Sequence, residues 1–108
     1  MANTFTSYVN KDVGTSAATV VTVAGGTQTT VIGMTCANTT TAGVTVDVYI
    51  TRSGTDYYII KGAGVPPGGS LVPIGGDQKV VLVASDVLKV ISSAASSIDA
   101  VTSVLEIS

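Results

Sequence analysis

The 108-residue sequence has no histidine, no tryptophan and a single cysteine, Cys36. Without histidine the common general base is missing, and so is the usual partner of a serine or cysteine nucleophile. A zinc site drawn from Cys and His needs three or four such ligands, and this chain has one. One cysteine cannot form an internal disulfide, so the fold has no covalent staple. Charge is scarce as well: 11% of residues are ionised, against roughly 25% in ordinary soluble domains. The five cations, Lys11, Arg52, Lys61, Lys79 and Lys89, are scattered. Nucleic-acid binding works through clustered basic residues that displace counterions from phosphate, so it is not expected. Apolar runs stop after a few residues, far short of the ~18 to 20 that a membrane-spanning helix needs, and no membrane span is expected. MANTFTSYVNKD lacks a basic start followed by an apolar stretch. The expectation is therefore no signal peptide and folding in the cytosol.

What the chain does have is β-branched residues: 18 Val, 8 Ile and 16 Thr, with only 4 Leu. That is a strand-forming composition. Val44, Val46, Val48 and Ile50 alternate with Thr45, Asp47, Tyr49 and Thr51, the period of a half-buried strand. Arg52-Ser53-Gly54-Thr55 supplies a turn and 56–61 runs back, which predicts a β-hairpin. Upstream, 18–24 and 28–37 read as strands, with Gly33 marking a bulge or a close backbone approach, and together with the 44–51 strand they predict a meander. Downstream, 62–70 holds four glycines and two prolines and cannot be a central strand. A short apolar piece, 71–74, precedes 78–84, where strand character resumes; Ser85-Asp86 turns the chain into 87–92. The last strand, 98–107, sets Val101, Ser103, Leu105 and Ile107 on one face, with Glu106 expected on the opposite, outward face.

The expected fold is all-β: a two-sheet antiparallel sandwich of seven to eight strands, immunoglobulin-like or jelly-roll. Residues 1–16 read as an N-terminal arm or an edge strand, and residues 17–108 as a single sandwich domain. Asp12, Asp56, Asp77, Asp86 and Asp99 fall at turns or strand starts, where aspartate bonds backbone amides. Gly75-Gly76-Asp77 or Ser85-Asp86 offers calcium at most one ligand each, and no EF-hand run of acids is present. The glycine segments lack the following helix of a phosphate loop. No cofactor, metal or catalytic set is expected. Asn38-Thr39-Thr40 matches a glycosylation sequon. The residues singled out for contact with a partner are Phe5 and Tyr8 in the N-terminal segment, Tyr49, Tyr57 and Tyr58 on the hairpin, and Val65, Pro66 and Pro67 in the Gly/Pro loop. Tyr49 points away from the valine face, and so must one of Tyr57 and Tyr58; the first reading is ordinary cross-strand pairing, and the alternatives are an exposed pair that anchors an interface or stacks on a sugar.

The succession SLVPIGGDQKVVLVASDVLKVISSAASSIDAVTSVLEI, following TVDVYITRSGTDYYIIKGAGVPPG, resembles small β-sandwich structural proteins of tailed bacteriophages, especially marine and cyanobacterial phages. The resemblance covers roughly residues 28–108 and rests on strand and turn patterns. It implies a virion component assembled in the host cytoplasm, and the missing catalytic equipment makes a non-enzymatic one the expectation. The first choice is a capsid decoration (cement) protein on the major capsid protein; the alternatives are a neck, collar or tail protein, or a carbohydrate- or host-surface-binding module. Its partners would be other virion proteins and further copies of itself. A surface rich in Thr and Ser suits this, because hydroxyls cost less to desolvate than charges.

Overall fold

The computed structural model describes residues 3–75 and 78–108. Among these are nine strands and no helix: β1 (Asn3–Val13), β2 (Ala18–Thr22), β3 (Gln28–Asn38), β4 (Val44–Arg52), β5 (Thr55–Val65), β6 (Ser70–Ile74), β7 (Val80–Leu82), β8 (Val87–Ser92) and β9 (Ile98–Ile107). One sheet runs β1-β9-β3-β6, with β7 also paired to β3, and the other runs β2-β8-β4-β5. All pairings are antiparallel. The two sheets pack over a core of Val31, Met34, Cys36, Val46, Val48, Ile74, Leu88, Val90 and Val104, among others.

The strand count exceeds the expected seven to eight because the strand beyond β3 is broken. β6 pairs with the Met34–Ala37 end of β3 and β7 with its Thr29–Val31 end, so the two continue one another along β3. Counted as one strand, they leave eight, and the order then has the two four-stranded sheets and repeated crossings of a jelly roll. Strand order therefore decides between the two topologies left open by sequence.

The expected meander is not formed. β2 lies in one sheet, β3 in the other and β4 back in the first, so consecutive strands cross the sandwich. The 44–61 hairpin is present, and its two-residue turn has positive φ at both Ser53 (53°) and Gly54 (78°), the type I′ geometry that matches strand twist. Gly33 is the expected bulge. Buried positions in β3 are odd-numbered at Thr29 and Val31 and even-numbered at Met34, Cys36 and Asn38, and the register with β9 slips between Val31 and Gly33. β5 runs further than expected, through Gly62-Ala63-Gly64 to Val65. It tolerates the glycines because it is an edge strand and carries bulges there. Val65 is 1% exposed and belongs to the core, so its assignment to a contact loop is corrected.

Three carboxylates lock these irregularities. Asp47 accepts the Gly62 N–H at 2.6 Å, where Gly62 sits at φ 68°. Asp99 accepts the Asp12 N–H at 3.0 Å, with Asp12 at φ 54° in the β1 bulge. Asp86, at the Ser85-Asp86 turn, accepts the Val83 N–H at 2.9 Å. Asp56, at the start of β5, accepts the Thr51 hydroxyl. Asp77 lies outside the described residues.

Candidate interaction surfaces

The residues singled out in the sequence do not converge on one site. On β1 the period of two separates Phe5 from Tyr8. Phe5 is 75% exposed on the outer face of its sheet. Tyr8 points to the other side, half-buried, and its hydroxyl donates to the Glu106 carboxylate. That bond, followed by desolvation, raises the Tyr8 pKa.

On the hairpin, Tyr49 makes the cross-strand pair, opposite Tyr58, and is not the exposed ring that an interface anchor needs. Its ring lies under that of Tyr58, with centroids 5.0 Å apart and planes tilted by 37°, and it is 8% exposed. Desolvation, with Asp56 nearby, raises its pKa. Tyr58 is partly exposed and carries Lys61 Nζ 4.2 Å above its ring. The tyrosines thus make an internal cross-strand pair with a cation above it. Tyr57 is opposite Ile50 and so on the reverse side of the hairpin, where the two line an open depression with Arg52. Pro66 and Pro67 are exposed at a separate turn closed by Gly69 N–H to the Pro66 carbonyl.

Arg52 is held on its other side by Asp86. Its Nε and Nη2 reach the two Asp86 oxygens at 2.8 and 2.6 Å, and the Asp86 side chain is 1% exposed. The fork of guanidinium on carboxylate is a bidentate, charge-assisted pair. The Arg52 bond holds the Asp86 carboxyl below the ordinary carboxylate range. Asp99 is likewise lowered, by the Asp12 backbone N–H first and Lys11 second. Cys36 is fully buried, and desolvation pushes its thiol up to about 11, so it carries no thiolate near neutral pH.

Apart from Phe5, an exposed apolar surface on one sheet was not singled out from sequence. Register places Phe5, Leu105, Thr30 and Val81 in one row across four strands on the outer face of the β1-β9-β3 sheet. Val9, Val101 and Thr35 form a parallel row. Exposure is 74% at Val9, 57% at Val81 and 49% at Val101. Neither row contains an ionisable side chain, and a face of valine, threonine and serine is cheap to dehydrate. The signal lay in the shared face of Val101, Ser103, Leu105 and Ile107, but with Glu106 expected outward that face would turn to the core; the structure corrects this, burying Ala100, Thr102 and Val104 and leaving Val101 exposed. A second open depression, lined by Gly26, Gln28, Val83 and Ile107 among others, sits at one end of this sheet.

No protein-family description matches the sequence, and no curated protein matches it. Among solved structures, a chain from the crystal structure of the T13 IBDV viral particle is similar in fold, with a TM-score of 0.52 and 13% identity. The match covers 96% of this chain and 35% of that one, so this chain spans about a third of the viral protein's length. The likeness extends across the whole sandwich described above and is a likeness of fold.

Proposed function

We propose that this chain is a non-enzymatic structural protein of a virus particle, and specifically a decoration protein on the outside of a tailed-phage head. It works by contact with the major capsid protein and neighbouring subunits after assembly in the host cytoplasm. The observation that carries the reading is the strand order, a jelly roll, which is an architecture of viral capsid domains, and the likeness in fold to a chain of the IBDV particle supports it. Folds host many functions, so the reading also needs support from side chains. Asp47, Asp86 and Asp99 are engaged in locking turns and bulges, and Glu106 accepts from Tyr8. The two exposed apolar rows on the β1-β9-β3 sheet carry no ionisable side chain, which suits many modest contacts that add up through multivalency.

The test is to purify particles from the virus encoding the chain and locate the chain by mass spectrometry and cryo-electron microscopy. Density repeated over the shell, and heads that lose DNA at lower temperature when the gene is deleted, are the expected results. A single ring at one vertex would move the assignment to the neck, collar or tail. Absence from purified particles would refute the virion reading altogether.

A further inference from the structure

The sandwich has open edges at β1, β2, β5 and the β6/β7 side. An unpaired edge is a template for another strand, and proteins blunt edges with short strands, proline, charge or bulges. β2 is five residues long with a register slip after Thr19, and β6 is five residues long and contains Pro73. β5 is long, but carries Asp56, Lys61, two register slips and the left-handed Gly62. β1 differs from all of these. From Asn3 to Asn10 it keeps uninterrupted register with β9, and it has no charge and no proline before Lys11. Its only irregularity, the Asp12 bulge, lies at its far end.

We infer that β1 is an intermolecular edge that pairs antiparallel with β1 of a second copy about a two-fold axis at Ser7, joining two sheets into one. Self-pairing suits this strand because no like charges meet between Asn3 and Asn10. The axis at Ser7 sets Phe5 of each copy opposite Val9 of the other, an aromatic against a β-branched residue on one face. These are the two most exposed large apolar side chains of the strand. Sliding the pairing two residues one way sets Phe5 against Ser7; sliding it the other way sets Phe5 against Lys11. Only the Ser7 axis matches the apolar pair twice. The inference does not depend on the virion reading, because it concerns the isolated chain.

The test is sedimentation of the purified full chain over a concentration series reaching ~1 mM, where weak self-association is measurable. A monomer–dimer equilibrium is expected for the native chain. The double variants Phe5→Lys/Val9→Lys and Phe5→Glu/Val9→Glu should each fold, by circular dichroism, and sediment as monomers. An equimolar mixture should recover a mixed dimer, since every repelling pair becomes an attracting one. Ser7→Lys, which sets two cations at the axis, should also dissociate the dimer and decides the matter if the double variants fail to fold. A native chain that stays monomeric, variants that stay dimeric, a mixture that does not associate, or open-ended filaments would each overturn the inference. A monomer that nevertheless coats particles would refute the pairing and leave the virion reading standing, whereas a dimer absent from particles would do the opposite.

Discussion

Replacing Asn38 by aspartate changes two hydrogen-bond donors into an acceptor without altering side-chain shape. Asn38 is 2% exposed at the end of β3. Its amide nitrogen donates to the carbonyls of Ala42 at 2.8 Å and Val65 at 3.0 Å, while its oxygen accepts from the Thr40 N–H at 2.9 Å and the Thr40 hydroxyl at 2.7 Å. One side chain therefore joins β3 to the loop before β4 and to the end of β5 in the opposite sheet. The same burial leaves the sequon amide inaccessible to glycan attachment in the folded state. Asn38→Ala loses bonds worth about 1 kcal/mol each, partly recovered where Ala42 and Thr40 can turn to water, for a net cost of about 2 kcal/mol. Asn38→Asp retains the Thr40 bonds but points an oxygen at two carbonyls, so at pH 7 it must either bury a repelled charge or take up a proton. Each unit by which the folded carboxyl lies above its unfolded value adds about 1.4 kcal/mol at neutral pH, which brings the expected cost to about 4 kcal/mol. The sign is fixed by the upward shift: the penalty is full above the raised folded value and fades as pH falls toward the unfolded value near ~4. Urea denaturation of both variants, each against the native chain at pH 7.5 and pH 4.5, measures this. An aspartate variant no worse than the alanine variant at pH 7.5, or a deficit that does not narrow at pH 4.5, would refute the reasoning.

Further outcomes are expected at other residues. Asp86→Asn should lower stability by about 1 to 2 kcal/mol at pH 7, discounted because Arg52 is half-exposed; since the Asp86 carboxyl is held low, the gap to the native chain should persist above pH ~4 and close as pH falls through the depressed value. A gap constant from pH 7 to pH 3 would contradict this. Cys36 should resist thiol reagents in the native state at neutral pH and react at the rate of unfolding in urea, as a colorimetric thiol assay can follow. Tyr49→Ala should destabilise by about 3 kcal/mol while Tyr57→Ala changes the denaturation midpoint little, because one ring is covered and the other open to solvent. Ser53→Asn should raise stability by a few tenths of a kcal/mol, as Asn-Gly suits two successive positive φ angles better than Ser-Gly; a drop in melting temperature would count against the type I′ turn.

Sequence resolved what depends on neighbours along the chain. The β4–β5 hairpin was legible because alternation and turn chemistry lie within twenty residues, and the Gly33 bulge because a glycine interrupts an apolar strand. The crossing of β2, β3 and β4 between sheets was not legible, since the same strands with the same periods could equally have paired in order. Val65 was misplaced for a local reason: glycines on one side and prolines on the other disguise a core valine at the end of an edge strand. Period two put Tyr49 on one face with one of its hairpin partners and so suggested their cross-strand pairing, but it could not report how far Tyr58 covers Tyr49. The outer apolar rows needed the register of four strands at once.

β9 occupies the slot between β1 and β3. During synthesis, β1 and β3 therefore emerge with nothing between them, and both wait roughly sixty residues or more at ribosomal speed for the strand that unites them. Such distant closure is slow, and in the interval a nascent chain offers several unpaired borders to its neighbours. Efficient production of this protein should consequently depend less on the strength of its finished core than on how well the cell shields a half-built sheet.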